Sequence, residues 1–470
     1  MLDVLIIGSG PHALTLVSLL NSLCPPLSVL VVDTYGEWAG VWESQFTALH
    51  IPHLRSHTLV HTDPLNKNAL QEFVLKYDRS AELHSLPDRV HILDENAFFN
   101  DMRLGKRERK RLNVTSTLKK SLSFSLPGTK LSVDFFKEQK TEHFCVELQD
   151  GRVLKARQVV LATGPTRVQM SNIPEWAKSI EESFPEGRLQ HTVHLMHKLS
   201  NSKKRLQEMD CEAGQRVMVV GGGLTSAHVV SIALQQGADH VTWVMRKHLQ
   251  LKQFDVGDVE SLVGRYSHVE HGIKMDGQAY LRQFYNERSL HKRLAMIRQA
   301  RKGGAITPEA YIHLQPFIQS GQVELKTFCQ VNEASWCYRS QSWNLSLSTG
   351  DHWTGDRIWL ATGCKLDVKQ DPLLSDMMKH FPIQVIDGWP CILESLQWTE
   401  GCPLYLMGQY SALQVGPHAV NLAGGQAASL RIAKDIMRHQ MQDRGQNSEM
   451  GKGKSKTEEY IQQMKGLFWL

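Results

Sequence analysis

The chain has 470 residues, of which 41% are hydrophobic and 21% are charged. At about 100–200 residues per domain, this length predicts two to four domains with large cores. The 53 Lys and Arg residues exceed the 48 Asp and Glu residues by only five, and no long basic face carries interleaved aromatic residues. The composition therefore excludes the usual signature of a nucleic-acid-binding protein, and we expect no nucleic-acid partner.

The eight cysteines are scattered, with no CxxC pair and no zinc-type spacing. This usage favours reduced thiols in an intracellular compartment. The first predicted strand starts at residue 2 or 3, which leaves no room for a signal peptide, and no apolar run approaches the roughly 20 residues of a membrane span. We therefore expect a cytoplasmic protein without a membrane span.

The first predicted element is a short buried strand, followed by a GxGxxA turn into a helix. Gly8 allows the tight turn, Gly10 lets the backbone approach a pyrophosphate, and Ala13 lets the helix pack close to the strand. The amides and the positive dipole end of the helix would face the anion. We therefore assign pyrophosphate binding to this turn, with Pro11 and His12 at the start of the helix.

An acidic residue closes the next apolar run. Asp33 stands 23 residues after Gly10, near the spacing of about 20 residues expected for a carboxylate on an adenosine ribose hydroxyl. Strand, turn, helix, strand and acid thus occur in the order of a dinucleotide-binding unit. This order favours a nucleotide site over an ordinary glycine turn.

A histidine-rich stretch runs from Leu49 to Pro64. Its imidazoles are those of His50, His53, His57 and His61. Their spacing would suit a metal site on one helix face, but Pro52 and Pro64 favour an extended or irregular segment. We therefore predict no metal site and expect the stretch to line a pocket.

A polar and basic segment spans residues 103–120, with Lys or Arg at positions 106, 107, 109, 110 and 111. A solvated insertion is the favoured interpretation, and a nuclear-localisation signal or an anion-binding patch is the alternative. Residues 144–164 then predict a hairpin and an apolar strand ending in Ala-Thr-Gly at Gly164. This strand closes the sheet of the first module.

A second copy of the nucleotide unit follows the strand at residues 217–220. Its turn and helix start contain Gly221, Gly223, Thr225 and Ser226. The next strand ends with Arg246 and Lys247, at the place that Asp33 holds in the first copy. A guanidinium holds a 2′-phosphate by charge-assisted hydrogen bonds, whereas a carboxylate would repel it. The second site is therefore expected to prefer NADP(H) to NAD(H).

The repeat continues through residues 343–364, which mirror the first hairpin and end in Ala-Thr-Gly at Gly363. A short strand is predicted at residues 403–408 and a helix rich in small residues at 416–436. Small side chains let a helix approach a cofactor closely. The fold class is therefore α/β, with two Rossmann-like, doubly wound, three-layer modules, the first of which is built from discontinuous segments.

Two nucleotide modules, paired ATG endings and a C-terminal MG…GP…GG segment resemble the two-dinucleotide-binding-domain flavoproteins. The resemblance implies FAD on the first module and NADPH on the second. The predicted domains are an FAD-binding domain of residues 1–170 and 376–438, an NADPH-binding domain of residues 171–375, and a disordered tail of residues 439–470. Disulfide reductases of this superfamily need a redox cysteine pair near the flavin, and this sequence offers none.

Within the class B flavin monooxygenases, IIGSGPHALTL and LHIPHLRS resemble the lysine/ornithine N-monooxygenase family, whose corresponding stretch reads MQ(I/V)SFLKD. His50, His53 and Arg55 stand at its Gln, Phe and Lys positions and are the substrate-side candidates. The resemblance implies an FAD- and NADPH-dependent monooxygenase that hydroxylates a small amine-type substrate with molecular oxygen through a C4a-hydroperoxyflavin. It assigns no catalytic acid or base.

Further cofactor contacts follow from the same resemblance. Trp42 ends a half-preserved GGxW motif of the flavin-containing monooxygenases in a predicted loop beside the flavin, with packing in the core as the alternative. Gly408 and Gly416 lie in the C-terminal glycine segment. Related flavoproteins often carry an acid after the equivalent of Gly408, and Gln409 stands there.

A regulatory or interaction protein on the same scaffold is the alternative function, because the sequence is also similar to the oxidative stress-induced growth inhibitor proteins. The altered substrate-side residues and the basic insertion favour that alternative. The intact second glycine turn with Arg246 favours an enzyme, because a module without a cofactor has no need of this geometry.

Overall fold

The structure is a computed structural model that describes residues 2–23, 27–33, 37–85, 97–99, 125–138, 154–164, 170–201, 211–251, 277–301, 304–371 and 373–445. The basic segment at 103–120, the first predicted hairpin turn and the end of the tail lie outside these residues. Within the described part of the chain, no helix is long and apolar enough to cross a membrane.

The strands, in chain order, are β1 Leu2–Ile7, β2 Val29–Val32, β3 Leu83–His84, β4 Ala97–Phe99, β5 Leu126–Pro127, β6 Ala156–Leu161, β7 Met170–Ser171, β8 Leu189–His191, β9 Arg216–Val220, β10 His240–Val244, β11 Leu249–Leu251, β12 Val323–Lys326, β13 Val331–Cys337, β14 Ser342–Leu347, β15 His352–Gly355, β16 Arg357–Leu360, β17 Cys364–Lys365, β18 Val385–Ile386, β19 Trp389–Pro390, β20 Gln397–Thr399 and β21 Cys402–Leu406.

The α-helices are α1 Pro11–Leu23, α2 Gly40–Ala48, α3 Ala69–Lys76, α4 Thr129–Glu138, α5 Glu175–Lys178, α6 Thr192–Asn201, α7 Leu224–Gln235, α8 Gly277–Asn286, α9 Leu290–Ala300, α10 Pro308–Gln319, α11 Ser375–His380, α12 Ala412–Val415 and α13 Leu422–Gly445. Short 3₁₀-helices cover Ser80–Glu82 and Gly408–Ser411.

The first module is a sheet with strand order β2-β1-β6-β21-β20. Its first four strands run parallel, and β20 is antiparallel at one edge. Apolar residues bury β1 and β6 on both faces, as a parallel sheet covered by helices requires. Because β21 joins β6 from more than 200 residues away, the prediction that this module is discontinuous is confirmed.

The second module is a parallel sheet with strand order β12-β10-β9-β16-β8. Side chains on β9 alternate between its faces: Val217 and Val219 pack toward α7 and α10, whereas Met218 packs toward β13, β14 and β15. These three strands are antiparallel and form an outer layer. The hairpin predicted within residues 343–364 corresponds to β14 and β15. The three-layer α/β fold class is confirmed.

Several elements depart from their predicted bounds. The segment around Trp42, which we predicted to be a loop, forms the helix α2. Trp42 and Phe46 are four residues apart on this helix, and their rings stack. The helix predicted to begin at Gly416 begins at Leu422 and continues to Gly445, so the helix extends into the predicted tail. Between the modules, α8 packs through Phe284, and α9 through Leu294 and Ile297, into the core of the first module, although the predicted boundaries place both helices in the second.

Candidate functional site

The predicted cofactor residues gather at the carboxyl ends of the two parallel sheets. Each sheet presents its glycine turn beside the ends of its neighbouring strands, because parallel strands all end at the same edge. In the first module these residues are Gly8, Gly10, Asp33, Gly164 and Gly408, and in the second they are Gly221, Gly223, Arg246, Lys247 and Gly363.

The turn after β1 depends on glycine at position 8. Gly8 has φ +110°, and a Cβ there would lie 2.5 Å from the Ala162 carbonyl oxygen at the end of β6. The next residue ties the turn to β2, because the Ser9 N–H donates to Asp33 Oδ2 at 3.1 Å. Asp33 is therefore held at the glycine turn, while its contact with a ribose stays a prediction.

The position assigned to the pyrophosphate is open in the first module. A Cβ on Gly10 would meet no atom of the described residues within 4 Å, so this part of the chain leaves space at the turn. Pro11 opens α1, where its missing N–H carries no penalty. Ala13 is fully buried against the sheet, as close helix–strand packing requires. The geometry suits an anion held by the helix amides.

His12 lies on α1, partly buried against the start of α13, and has a structural contact that the sequence did not indicate. Its Nε2 lies 2.9 Å from the Asn421 carbonyl oxygen. A Cβ on Gly425 would lie 2.5 Å from its ring, so α13 needs glycine to cross α1 here. Burial lowers the pKa of His12, which keeps the imidazole neutral. The side chain of His12 thus positions α13.

The C-terminal glycines lie in the same region. Gly408 has φ +71° and starts a 3₁₀-helix just after β21, with Gln409 partly buried beside it. Gly416 has φ +114°, and a Cβ there would lie 3.3 Å from His418 Nδ1, which is buried without a hydrogen-bond partner among the described residues. Burial, with the charges of Arg431 and Arg301, lowers the pKa of His418 to about 3.

Trp42 lies in an aromatic cluster on α2, with its ring centroid 4.8 Å from that of Phe46 and 5.7 Å from that of Phe136. The prediction of a loop at Trp42 is therefore wrong, because this partly buried residue packs against the hydrophobic core from a helix, while its position beside the flavin stays a prediction. The spacing of Trp42 and Phe46 in the sequence is the signal that indicates a helix.

The histidine-rich stretch is irregular, as predicted, and its imidazoles have separate roles. His57 and His61 are buried, and each accepts a backbone N–H two residues ahead through Nδ1. His50 is exposed with φ +49°, and Arg55 is partly buried. Among the described residues, no group of three or more potential ligands could hold a metal ion.

His53 lies at the junction of the two modules. Its ring centroid is 4.9 Å from that of His84 on β3. His228 on α7 belongs to the same group of imidazoles, because the charge of His53 acts on it. Burial is the largest cause that lowers the pKa of His228 to about 4, and the charges of His53 and His313 lower it further. The sequence placed His53 on the substrate side but did not indicate His84 or His228, since these imidazoles come together only through the tertiary fold.

The turn after β9 repeats the geometry of the first. Gly221 has φ +144°, and a Cβ there would overlap the Ala361 carbonyl at the end of β16. The Trp243 indole donates to the Gly221 carbonyl at 2.6 Å. Ser226 is buried and donates to the Gly223 carbonyl at 2.5 Å, so its hydroxyl shapes the turn from inside, whereas Thr225 is exposed.

One residue that the sequence did not indicate lies on this second turn. A Cβ on Gly304 would come within 2.5 Å of the Gly222 carbonyl oxygen and 2.6 Å of the Gly223 nitrogen. The chain that leads into α10 therefore crosses the turn and can do so only with glycine at this position. Glycine at 304 keeps a side chain off the backbone assigned to the pyrophosphate.

The cations predicted to read the 2′-phosphate are at the expected edge. Arg246 and Lys247 follow β10 and are exposed. On the other side of the turn, Gly363 has φ +77° and open space at its Cβ position, and its carbonyl oxygen lies 3.1 Å from His191 Nε2. The second site therefore has the exposed cations Arg246 and Lys247 at one end and Gly363 at the other.

The cysteines within the described residues, Cys211, Cys329, Cys337, Cys364, Cys391 and Cys402, are all free. Burial raises the pKa of the Cys211 thiol to about 11. An unreactive, protonated thiol is the expected state of such a buried cysteine.

Solved structures share this fold. The ornithine N-hydroxylase of Kutzneria sp. 744 matches with a TM-score of 0.63 over 94% of this chain and 100% of its own, at 14% identity. The L-lysine 6-monooxygenase of Pseudomonas syringae matches with a TM-score of 0.60 over 93% and 99%, at 14% identity. The cadaverine monooxygenase of Erwinia amylovora matches with a TM-score of 0.58 over 93% and 95%, also at 14% identity.

Sequence comparison gives the family. No curated protein matches the chain. The sequence profile of the family described as pyridine nucleotide-disulphide oxidoreductase matches residues 2–299, which is more than half of the chain. The protein therefore belongs to the pyridine nucleotide-disulphide oxidoreductase family.

Proposed function

We propose that this protein is an FAD- and NADPH-dependent monooxygenase that hydroxylates the nitrogen of a small amine. The observation that carries the proposal is the pair of glycine turns at parallel-sheet edges, one beside the carboxylate of Asp33 and the other beside Arg246 and Lys247. This arrangement offers one site for a dinucleotide with a free ribose and one for a dinucleotide with a 2′-phosphate.

The residues of the first module fit FAD. The open space at Gly10 and the amides at the start of α1 would hold the pyrophosphate, and Asp33 would accept hydrogen bonds from the ribose. Gly408 and Gly416 approach from β21 and α12. FAD, when bound, supplies the hydride acceptor and the activation of oxygen, while the protein provides binding and orientation.

The residues of the second module fit NADPH. The turn from Gly221 to Gly223 would hold its pyrophosphate, while Arg246 and Lys247 would hold its 2′-phosphate by charge-assisted hydrogen bonds. Glycine at 304 keeps a side chain off the backbone of this turn. NADPH, when bound, supplies the hydride that reduces the flavin.

The substrate class rests on the stretch that contains Arg55 and on the fold. The Kutzneria enzyme was solved with reduced FAD, NADP+ and L-ornithine, and the Pseudomonas and Erwinia enzymes act on lysine and cadaverine. A small aliphatic amine is therefore the proposed substrate, and an acidic group on it is the expected partner of Arg55. The free cysteines of the described residues support the cytoplasmic location that we propose with this function.

The test measures flavin content, NADPH oxidation, hydroxylamine formation and peroxide with a panel of small amines. Amine-dependent hydroxylamine formation with NADPH is the expected result. The variant Gly10→Val tests the position of the flavin site. Within the part of the chain that the structure describes, no atom lies within 4 Å of the new Cβ, so we expect the variant to fold and only the ligand to collide with valine. A Gly10→Val protein as yellow as wild type would show that the flavin site lies elsewhere. NADPH oxidation that is unaffected by every amine would overturn the substrate class.

A further inference from the structure

Three loops lie side by side at the basic end of the second site. Val244 at the end of β10 is in register with Val220 at the end of β9 and with Lys326 at the end of β12. All three strands are parallel, so the glycine turn, the Arg246 loop and the loop after β12 lie in this order along one edge. Adjacent strands in such a sheet are about 4.8 Å apart.

The covalent order of NADPH can be compared with this order of strands. In the proposed function, the pyrophosphate lies on the turn after β9 and the 2′-phosphate lies on Arg246 after β10. The adenine is bonded to the ribose that carries the 2′-phosphate, on the side away from the pyrophosphate. Continuing in that direction leads from β10 to β12, so the adenine belongs over the loop that follows Lys326.

That loop carries an aromatic side chain in an unusual state. Phe328 is 67% exposed and has φ +52°, in the left-handed region that bulky residues avoid. Among the described non-glycine residues with positive φ, Phe328 is the phenylalanine, and its ring is largely exposed to solvent. An exposed ring contributes little burial, so the fold gains nothing evident from a phenylalanine at a position that suits glycine or asparagine. Such outliers are typical of ligand clamps.

The neighbours of Phe328 complete an aromatic corner. Its ring centroid lies 5.8 Å from that of His248, with an interplanar angle of 49°. His248 follows Arg246 and Lys247 in the same loop. The nearby Lys326 is bound to Glu324 and Asp351, each at 3.0 Å, so it does not compete for the 2′-phosphate.

We propose that Phe328 is the platform on which the adenine of NADPH stacks, with the ring of His248 as the side wall. The inference rests on the proposed function and adds a residue that the glycine and arginine motifs do not include. Aromatic rings hold nucleobases by stacking, without reading a charge. Phe328 thus contributes affinity for the adenosine half, and Arg246 contributes the choice of NADPH over NADH.

This division of roles gives different expectations for the two residues. Phe328→Ala removes the stacking surface, so the dissociation constants of NADPH and NADH rise by the same factor, about 5- to 150-fold for one stacked base. Phe328→Tyr keeps the ring and binds both nucleotides as wild type does. Arg246→Ala weakens NADPH and leaves NADH unchanged. Reduced nicotinamide mononucleotide, which lacks adenine, binds the Phe328→Ala and wild-type proteins equally.

The experiment titrates each nucleotide anaerobically into full-length protein whose FAD has first been reduced with dithionite, so that no hydride transfer occurs, and follows binding by calorimetry. Phe381→Ala, which removes another exposed phenyl ring, is the control and leaves both affinities unchanged. Flavin content and melting temperature confirm that every variant is folded, as expected for an exposed side chain.

Each outcome has one meaning. Unchanged affinities in Phe328→Ala, together with weaker NADPH binding in Arg246→Ala, overturn the stacking platform and leave the proposed site intact. A loss for NADPH alone in Phe328→Ala also overturns it, because stacking on adenine does not distinguish the two nucleotides. An unchanged preference in Arg246→Ala refutes the proposed 2′-phosphate site. If wild type binds neither nucleotide, both proposals fail.

Discussion

The Oδ2 atom of Asp33 accepts a hydrogen bond of 3.1 Å from the backbone N–H of Ser9, so the end of β2 is joined to the glycine turn that follows β1. The carboxylate therefore shapes the turn at the same time as it faces the proposed ribose position. Asp33→Ala removes both the acceptor and the charge. Asp33→Asn keeps an oxygen acceptor for the Ser9 amide and removes only the charge.

We expect Asp33→Ala to bind FAD about 10- to 150-fold more weakly, the loss that corresponds to one hydrogen bond to a charged group. Asp33→Asn should lie between this variant and wild type, because the turn keeps its contact. Flavin fluorescence on titration of apoprotein measures both. An Asp33→Ala protein with wild-type FAD affinity would contradict the assignment of Asp33 to the ribose.

The second prediction concerns Gly304, where a methyl group would overlap the backbone of Gly222 and Gly223. Gly304→Ala must push the second turn aside, and overpacking of this kind costs about 1–3 kcal/mol. We expect weaker NADPH binding, a lower melting temperature and unchanged FAD content. Gly10→Ala is the matched comparison, because it adds the same methyl group to the open first turn and should affect FAD and not NADPH. Equal NADPH affinity in Gly304→Ala and wild type would show that residue 304 does not control access to this turn.

The sequence predicts those parts of the site that depend on the backbone of one local unit. Gly8, Gly10, Asp33, Gly221 and Arg246 lie where the strand–turn–helix pattern places them, because buried strands and glycine turns have short-range signatures. The strand β21, which pairs with β6 in the first module, was also predictable, because the short apolar run before Gly408 is a strand pattern. These features are fixed by residues close together in the chain.

The remaining contacts depend on residues that are far apart in sequence. Gly304 meets Gly222 across 82 positions, and His12 meets Gly425 across 413, so no local period indicates either contact. The exposed ring of Phe328 has the same origin, because only the order of strands places its loop beside Arg246. Trp42 is different: its helical spacing from Phe46 was present in the sequence and was outweighed by a motif resemblance.

The third prediction concerns pH and His228, which is neutral in the folded protein because burial and then the charges of His53 and His313 lower its pKa to about 4. In the unfolded chain its pKa is about 6.5. Between these values the unfolded state binds the extra proton, so the contribution of His228 to stability is present above pH 6.5 and is lost as the pH falls toward 4. The full loss is about 3 kcal/mol.

Urea unfolding at pH 7 and pH 5 measures this effect. Wild type should lose about 2 kcal/mol through His228 over this interval, and His228→Gln should lose correspondingly less. His291→Gln, which replaces an exposed imidazole on α9, serves as the control and should keep the wild-type dependence. Parallel pH dependences in wild type and His228→Gln would refute a neutral His228 at the module junction.

The last prediction concerns Arg55, which is partly buried one residue after Leu54, whose amide is held by the Pro127 carbonyl at 2.9 Å. We expect this guanidinium to bind an acidic group of the amine substrate. Arg55→Ala should therefore raise the KM for that substrate about 10- to 150-fold, and poorly held substrate should increase peroxide release per NADPH while FAD content stays constant. Arg55→Lys keeps the charge and should recover part of the loss, whereas Arg288→Ala, at an exposed position on the loop between α8 and α9, should change nothing. Unchanged KM, kcat and coupling in Arg55→Ala would leave Arg55 with a structural role and would move the substrate site away from the histidine-rich stretch.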